Sequence, residues 1–305
     1  MILIITHKED FTVDFVIDKL NEKNINYYRL NCEDIEAKGY TIEFGKSTQW
    51  EINKKKSFTS VWFRRTKLPS LNTLSKDKQL YLLADYDTLL SNLFHLIDAK
   101  KWMSHPKYVY EAENKLLQLK LATNLGFQIP DTLVTSNKSN LKDFAKKYLN
   151  DIIIKPINNG RILDSESFKN IFTNKLKKEH LENLNDFDLT PTIFQERIEK
   201  EYELRVTVVG TYVFSAKVNS QSNEETKIDW RKEKLKFTKY NLPSEVEKKC
   251  INLLSHLNLS FGAIDLIKSK NGEYIFLEIN PNGQWAWIEF DTGLPISNAI
   301  INYLL

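Results

Sequence analysis

The sequence predicts a mixed α/β and α+β chain, and three observations lead to that prediction. The chain opens with the pattern of a β-α-β unit, His105-Pro106 marks a boundary, and the C-terminal half is rich in strands. Alternating strands and helices are typical of α/β units, whereas runs of strands beside separate helices are typical of α+β units. A length of 305 residues allows two or three packed units or one large domain.

The N-terminal unit begins with Ile2 to Ile5, a short apolar run typical of a buried strand. Residues 10–22 carry apolar side chains at helical spacing, and Ile25 to Leu30 returns to an extended pattern, so both strands are expected to be parallel. Three short strands are predicted to follow at residues 40–44, 49–52 and 58–63, and residues 74–101 are predicted to form one or two helices.

Beyond His105-Pro106, a helix is predicted over residues 111–125, because Gly126 and Pro130 supply the expected stop signals. Ile152 to Ile154 reads as a buried strand. Three further strands are predicted at residues 192–196, 204–209 and 212–218. A helix is predicted at residues 245–257 and a hairpin at residues 262–278.

Composition excludes several function classes. Forty-three basic against forty acidic side chains leave a net charge of +3, which gives no footprint for nucleic-acid binding. No apolar run approaches the roughly 18 residues of a membrane span, and the first run stops at Thr6 without a signal-peptide pattern. Cys32 and Cys250 read as buried apolar residues in a reducing compartment. We therefore expect a soluble, cytoplasmic protein with no nucleic-acid or membrane partner.

The glycine content argues against two kinds of nucleotide site. Only 9 glycines are present, whereas Rossmann and Walker loops place several within a few residues. The segment from Gly39 to Ser47 resembles a P-loop, but it has five residues between its glycines instead of four and alternates like a strand. The five histidines form no HExxH motif and have no cysteine at metal-ligand spacing.

The most informative stretch is the hairpin pattern around Asn271-Gly272. Asn-Gly between two alternating apolar runs is the strongest short hairpin signal and predicts a two-residue type I′ turn. Counting outward from that turn places Asp265 directly opposite Glu278, with Asn280 on the same face. The other face is predicted to carry apolar side chains, namely Ile264, Leu266, Leu277 and Ile279.

Two carboxylates directly opposed across a ladder repel each other, so a positive group must offset them. Asp265, Glu278 and the amide oxygen of Asn280 are the hard oxygen ligands that suit Mg²⁺, which completes its shell with water and substrate phosphates. The alternative is a solvent-facing acidic pair neutralised by a nearby Lys or Arg.

The order of several other segments along the chain also indicates a family resemblance. Lys115 lies near the start of a helix, Lys155 ends a buried strand, and residues 194–210 form a strand, a polar break and a second strand. With Glu278-Ile-Asn-Pro-Asn282 as the most specific part, residues from about 105 to 290 resemble an ATP-grasp ligase. The resemblance implies an ATP-grasp fold with an N-terminal β-α-β domain, a central domain and a C-terminal domain, with bounds expected at 1–105, 106–195 and 196–305.

The resemblance also implies ATP and Mg²⁺ as cofactors and a role for each matching residue. Lys115 and Lys155 would contact ATP phosphates, and Glu196 and Ile198 would meet adenine through their backbone. Glu203 would bind the ribose hydroxyls, and Arg205 and Arg231 would stabilise the transferred phosphoryl group. Magnesium would be held by Asp265, Glu278 and Asn280.

A narrower resemblance covers nearly the whole chain. Five segments are similar to those of graspetide synthetases, the microviridin-type peptide maturases. They are Val61-Trp-Phe-Arg64-Arg65, Glu113-Asn-Lys115, Glu203-Leu-Arg205, Asp229-Trp-Arg231 and Glu278-Ile-Asn-Pro-Asn-Gly-Gln-Trp285. The resemblance implies phosphorylation of Asp or Glu side chains of a ribosomal precursor peptide, followed by ω-ester or ω-amide ring closure with Thr, Ser or Lys side chains. It further implies that a leader segment docks on the enzyme, and it suggests a possible homodimer.

Three alternatives stay open at this point. Arg64 and Arg65 either hold acidic side chains of the peptide core or form a structural ion pair at a strand end. The protein either closes rings or acts as an amino-acid or peptide ligase of the glutamate-ligase or glutathione-synthetase kind. A non-catalytic peptide-binding relative is the third reading. One departure from many ATP-grasp proteins is that the segment Pro156 to Arg161 has a single glycine, Gly160, so we expect this loop to be mobile in the free enzyme.

Overall fold

The computed structural model describes residues 1–158, 160–164, 167–185, 187 and 189–305, and their side chains except those of 161–164, 167, 168 and 170. All statements below refer to these residues.

The N-terminal unit is built on a four-stranded parallel sheet with strand order β2-β1-β5-β6. Its elements are β1 (Ile2–Thr6), α1 (Phe11–Glu22), β2 (Tyr27–Asn31), α2 (Ile35–Lys38), β3 (Tyr40–Phe44), β4 (Thr48–Ile52), β5 (Ser60–Phe63), α3 (Lys76–Leu96) and β6 (Lys101–Met103). All five residues of β1 are buried, as expected for a central strand of a parallel sheet. The predicted β-α-β opening is confirmed.

The segment that resembles a P-loop forms an antiparallel ribbon. Strands β3 and β4 pair from Tyr40 opposite Ile52 to Phe44 opposite Thr48. Gly39 to Ser47 is therefore a strand followed by a turn, as predicted from its alternation.

The central segment carries a four-stranded antiparallel sheet with strand order β11-β8-β12-β7 and a two-stranded ribbon, β9-β10. Its elements are α4 (Pro106–Ala112), α5 (Lys115–Asn124), β7 (Thr132–Val134), α6 (Lys138–Lys147), β8 (Ile152–Pro156), β9 (Arg161–Asp164), β10 (Ser167–Asn170), β11 (Asn174–Lys175), α7 (Lys178–Glu182) and β12 (Thr192–Glu196).

The prediction of one helix over residues 111–125 is wrong. The chain forms two helices, because the Asn114 side chain accepts hydrogen bonds from the backbone N–H groups of Leu116 and Leu117 at 3.1 and 3.0 Å. An asparagine that caps in this way favours a helix start over a helix interior. The break places Lys115 in the first turn of α5 and Glu113 in the junction before it.

The C-terminal segment is a five-stranded antiparallel sheet with strand order β15-β14-β13-β16-β17. Its elements are β13 (Lys200–Val209), β14 (Tyr212–Val218), β15 (Thr238–Tyr240), α8 (Ser244–His256), β16 (Phe261–Ser269), β17 (Tyr274–Asn280), α9 (Ala286–Thr292) and α10 (Ile296–Leu304). The predicted hairpin is therefore confirmed as β16 and β17.

The hairpin reaches the predicted pairing by an unexpected route. The backbone N–H groups of Gly272 and Ser269 donate to the carbonyls of Ser269 and Glu273, so the loop is longer than the predicted two-residue turn. A register shift between Asp265 and Leu266 then restores Asp265 opposite Glu278. The bulge also corrects one side-chain prediction: Phe276, not Leu277, is buried in the core, while Leu277 lines a cavity.

The largest buried apolar cluster contains side chains from both the N-terminal and the C-terminal sheets, among them Leu3, Phe63, Leu204 and Ile264. Both cysteines are buried and free, as predicted. Within the described ranges, no helix has the length and apolar character needed to cross a membrane.

Candidate active site

A cavity of about 600 Å³ lies between the end of β5, the junction of α4 and α5, and the end of β17. A narrower cavity of about 80 Å³ adjoins it, since Lys115, Arg231 and Glu278 line both. Most of the residues that were predicted to bind ATP or magnesium or to act in phosphoryl transfer line one or both, namely Lys115, Lys155, Glu203, Arg231, Asp265, Glu278 and Asn280; Arg205 is not among the lining residues.

Asp265 and Glu278 face each other across the β16–β17 ladder, and each has its own positive partner. Nη1 of Arg205 donates to both carboxylate oxygens of Asp265, at 2.9 and 2.8 Å. Glu278 Oε2 lies 3.7 Å from Nζ of Lys115. The repulsion expected between directly opposed carboxylates is thus offset from two sides.

The two carboxyl groups differ in their pKa. Burial raises the pKa of Asp265, although Arg205 works against that shift. Burial also acts to raise the pKa of Glu278, but Lys115, Lys155 and Arg231 together outweigh it and bring the pKa below its usual value. Glu278 is therefore ionised at neutral pH and presents a negative charge to the cavity.

The oxygen donors fit a magnesium ion in number and kind. Magnesium is commonly held by one or two carboxylates, with water and substrate phosphates completing six positions. Asp265 and Glu278 supply two carboxylates, and Asn280 adds an amide oxygen that accepts from the backbone N–H of Asn282 at 3.1 Å. No group of three or more His, Cys, Asp or Glu side chains with metal-binding geometry occurs in the described part of the chain.

The two lysines approach the cavities from different elements. Nζ of Lys115 donates to the carbonyls of Pro156 and Asn158 at 3.2 and 3.1 Å, so the start of α5 is tied to the end of β8. Lys155 lies in β8, and burial lowers its pKa to about 8, with a further contribution from the charges of Lys115 and Arg231. A lysine desolvated in this way gains most from an anionic ligand.

A third, small cavity of about 60 Å³ shares Lys155 and Leu277 with the second. Glu196 and Ile198 lie on its wall, beside the apolar side chains of Ile153 and Ile267. The Glu196 side chain is turned to the backbone N–H of Asp131, from which it accepts at 2.9 Å. The cavity therefore has apolar side chains facing the backbone segment 196–198.

Glu203 is 6% exposed and lies on the wall of the second cavity. Its carboxylate accepts from Nζ of Lys200 at 2.9 Å. Burial raises the pKa of Glu203, and Lys200 opposes the shift. The sequence analysis missed Lys200, whose position at the start of β13 carries no distinctive signal.

Arg231 is oriented by Asp229. Nε and Nη2 of Arg231 donate to the two oxygens of Asp229 at 2.8 and 2.6 Å, in a bidentate pair. Burial works to raise the pKa of Asp229, but hydrogen bonds and the charge of Arg231 bring it below the usual value. The Asp229 carboxylate is thus a fixed support, and the Arg231 side chain, which is half exposed, reaches both cavities.

The adjacent arginines at the end of β5 have different surroundings. Arg64 is 1% exposed, its Nε lies 3.6 Å from Oδ2 of Asp10, and its Nη1 donates to the carbonyl of Asn282 at 3.4 Å. Arg65 lines the large cavity with Glu113. The contacts of Arg64 are those of a structural ion pair, whereas Arg65 lies on the wall of the large cavity.

The sequence analysis also missed Gln118, which is 2% exposed. Its amide nitrogen donates to the carbonyls of Ala112 and Ile279 at 2.6 and 2.9 Å, and its amide oxygen accepts from the N–H of Ile279 at 3.0 Å. Gln118 therefore joins the end of α4 to strand β17. A polar residue within the apolar stripe of α5 is the signal that would have identified it.

The single glycine of the loop after β8 has a positive φ of +66°. A Cβ at Gly160 would lie 2.7 Å from Cγ of Pro156 and 2.8 Å from the carbonyl oxygen of Ile171, so a larger residue would not fit. The expectation that the loop from Pro156 to Arg161 is mobile falls partly outside the described residues, which lack Asn159 and the Arg161 side chain.

Comparisons with known proteins agree on the family. The family model of the RimK-like ATP-grasp domain matches residues 112–304, and that of the MvdD pre-ATP-grasp domain matches residues 1–109. Comparison with the curated proteins gave no significant match.

Solved structures resemble the chain over its full length. The RiPP-associated ATP-grasp ligase of Chryseobacterium gregarium, solved with ADP and a leader and core peptide, is 30% identical with a TM-score of 0.88, and the match covers 99% of this chain and 96% of that one. The macrocyclase MdnC of Microcystis aeruginosa MRC, solved with the precursor peptide MdnA, is 29% identical with a TM-score of 0.86, covering 100% and 99%. MdnB of the same organism is 29% identical with a TM-score of 0.81, covering 100% and 98%.

Proposed function

We propose, from the premise that this chain belongs to the family of RimK-like ATP-grasp ligases, that it is an ATP-dependent peptide macrocyclase. In this proposal it phosphorylates Asp or Glu side chains of a ribosomal precursor peptide and joins them to Thr, Ser or Lys side chains by ω-ester or ω-amide bonds. The observation that carries the proposal is the convergence of Lys115, Lys155, Arg231 and Glu278 on two adjoining cavities. Two solved relatives, one with a leader and core peptide and one with a precursor peptide, support it.

ATP is proposed to extend from the small apolar cavity to the second cavity. The backbone of Glu196 and Ile198 would meet the adenine, Glu203 would bind the ribose hydroxyls, and Lys115 and Lys155 would contact the phosphates. The apolar side chains opposite residues 196–198 support the adenine site, because a flat base needs apolar surface and a few backbone hydrogen bonds.

Asp265, Glu278 and Asn280 are proposed to hold magnesium. When bound, the ion would neutralise charge on the phosphates as the γ-phosphoryl group moves. The net negative charge that Glu278 keeps at neutral pH supports this assignment.

Arg205 and Arg231 are proposed to stabilise the transferred phosphoryl group, since a guanidinium carries a permanent charge and a fork of donors. A carboxylate is a poor electrophile, because its leaving group would be an oxide. Attack of the peptide carboxylate oxygen on the γ-phosphorus releases ADP and gives an acyl phosphate. A hydroxyl or amine then attacks the acyl carbon, and inorganic phosphate leaves.

The large cavity is proposed to hold the peptide core, with Arg65 at the acidic side chain that reacts. Arg64 would act indirectly, because its contacts with Asp10 and the Asn282 carbonyl fix the end of β5 against the loop after β17. We also propose domain bounds of 1–105, 106–195 and 196–305, which the meeting of the two family matches between residues 109 and 112 supports for the first boundary.

Mass spectrometry tests the proposal. The probe is a synthetic copy of a short peptide encoded beside the gene, rich in Thr, Ser or Lys and in Asp or Glu, incubated with the enzyme, ATP and Mg²⁺. We expect the loss of one water for each ring closed. With free amino acids added to the same mixture, a gain in mass by an amino-acid residue would instead identify an amino-acid or peptide ligase, and an unchanged mass with nucleotide binding would identify a non-catalytic relative.

A matched pair of variants connects the activity to the hairpin. Glu278→Gln removes a charged ligand and is expected to abolish turnover, whereas Glu273→Gln makes the same change at an exposed position of the same hairpin and is expected to leave turnover unchanged. Full turnover by the Glu278→Gln variant would exclude the hairpin as the metal site.

A further inference from the structure

One cavity-lining carboxylate has no role in the proposed phosphoryl transfer. Glu113 occupies the junction between α4 and α5, two residues before Lys115, and lines the large cavity beside Arg65 and Tyr110. It belongs to the Glu113-Asn-Lys115 segment, of which the nucleotide site uses only the lysine. Its role must therefore be sought on the peptide side of the site.

The other acidic side chains around the two cavities lie beside basic residues of the proposed nucleotide and metal site, whereas the positive charge that acts on Glu113 is that of Arg65. Asp265 is hydrogen-bonded to Arg205, Asp229 to Arg231, and Glu203 to Lys200. Glu278 has Lys115 within 3.7 Å and contributes to the proposed metal site. Among the described residues, no hydrogen bond to the Glu113 carboxylate is found, and no histidine lines either cavity.

The backbone at Glu113 is held at a fixed position relative to the proposed reaction centre. Gln118 binds the carbonyl of Ala112, the residue before Glu113, and both backbone groups of Ile279, the residue after Glu278. One buried amide thus joins the Glu113 junction to the strand of the proposed metal ligands. Such a link keeps a side chain in register with a reacting group, as acid–base catalysis requires.

The electrostatics of Glu113 suit a proton acceptor. Glu113 is exposed on the cavity wall; its partial desolvation there still raises the pKa of its carboxyl group, and the charge of Arg65 partly offsets that shift. A carboxylate of raised pKa is a stronger base than a fully solvated one, and a nearby guanidinium favours its ionised form.

We propose that Glu113 is the general base of the ring-closing step and accepts the proton that the incoming hydroxyl or neutral amine side chain loses. This inference rests on the proposed function. As the hydroxyl oxygen or the neutral amine nitrogen forms its bond to the acyl carbon, one of its protons moves to the Glu113 carboxylate. The bond between the acyl carbon and the phosphate oxygen breaks, and phosphate leaves with the electron pair. Glu113 then releases its proton to solvent.

Hydroxylamine separates the two half-reactions. It is an uncharged nucleophile at neutral pH, so it traps an acyl phosphate as a hydroxamate without needing a base. In a mixture of the synthetic precursor peptide, ATP, Mg²⁺ and hydroxylamine, the Glu113→Gln variant is expected to form hydroxamate at a rate within about twofold of the wild-type rate. Its ring closure is expected to fall about 100-fold or more, the range found for loss of a general base.

Two further variants complete the test. Glu111→Gln removes the same charge from a residue of α4 that lines neither cavity, and both rates should be unchanged. Glu113→Asp keeps a carboxylate and should recover part of the ring closure. Urea unfolding of each variant establishes that it is folded.

The outcomes distinguish the two proposals. Ring closure by Glu113→Gln at nearly the wild-type rate would overturn the general-base assignment, as would parallel loss of hydroxamate and rings in a folded variant. Absence of both products with the wild-type enzyme would overturn the proposed function itself and this inference with it.

Discussion

Arg205 and Asp265 lie directly opposite each other on β13 and β16, and one guanidinium nitrogen of Arg205 donates to both oxygens of Asp265. Both side chains are largely buried, with Arg205 only 8% exposed. A buried pair of this kind is costly to break, because the remaining charge is left without a partner. The pair therefore fixes one proposed metal ligand and one proposed phosphoryl-binding group in a single arrangement.

Gly283 should not tolerate a side chain, because a Cβ atom there would collide with the buried Arg205. A Cβ there would lie 2.5 Å from Cβ of Ala263 and 2.9 Å from Nη2 of Arg205. We expect Gly283→Ala to cost about 1–3 kcal/mol of folding free energy through overpacking and to lower turnover by displacing Arg205. Urea unfolding and ATP turnover measure the two effects.

The control for that substitution is Gly45→Ala, because a Cβ at Gly45 would meet no atom within 4 Å. Its stability and turnover should match those of the wild type. A Gly283→Ala variant with unchanged stability and turnover would show that the loop after β17 adjusts without moving Arg205.

Local sequence signals predicted most strands and the helices α1, α3 and α8, because apolar alternation and helix stop signals act over a few residues. The unpredicted elements are mostly short, namely β6, β7, β9, β10, β11, β15, α2, α6, α7, α9 and α10. The β-α-β opening and the hairpin of β16 and β17 are examples. The missed break at Asn114 was also local, since asparagine caps helices, but the apolar residues on either side were read as one helix.

Long-range features of the site were harder to predict. The pairing of Asp265 with Glu278 depends on a longer loop and a bulge that compensate each other, and an alternation pattern specifies neither. The role of Gln118 depends on carbonyls at Ala112 and Ile279, which are far apart in the chain. The different environments of Arg64 and Arg65 arise from packing against residues 10 and 282.

Replacing Gln118 should affect stability more than its single side chain suggests. Gln118→Leu keeps the approximate size but leaves two carbonyls and one N–H group without their partner. A buried polar group left unsatisfied costs about 1–3 kcal/mol, so a clear decrease in the urea midpoint is expected. The exposed Gln49 of β4 provides the control, and Gln49→Leu should change the midpoint little.

The adjacent arginines should separate stability from substrate binding. Arg64→Ala leaves the buried Asp10 without its partner, so we expect a loss of about 3–5 kcal/mol in unfolding free energy. Arg65→Ala should retain most of the stability and instead raise the KM for the peptide. Chemical unfolding and peptide kinetics on both variants measure this; a stability loss of equal size in the two would contradict it.

Nucleotide binding should be linked to protonation of Lys155. Burial lowers the pKa of this lysine to about 8 in the free protein, and nucleotide phosphates favour its charged form. At pH 8, binding of ADP with Mg²⁺ should therefore take up a proton, whereas at pH 6 the lysine is already charged and no uptake is expected. Calorimetry in buffers of different ionisation enthalpy measures the uptake directly.

The same shift sets the sign of a stability effect. Between pH 8 and about 10 the unfolded chain holds a proton on this lysine that the folded protein has released, so the contribution of Lys155 to unfolding free energy rises with pH in that window. Lys155→Arg keeps the charge throughout, and it should abolish both the proton uptake and this part of the pH dependence. Proton uptake that persists in the Lys155→Arg variant would mean that another group takes up the proton. Glu203 is one candidate, because burial raises its pKa above the usual value for a carboxyl group.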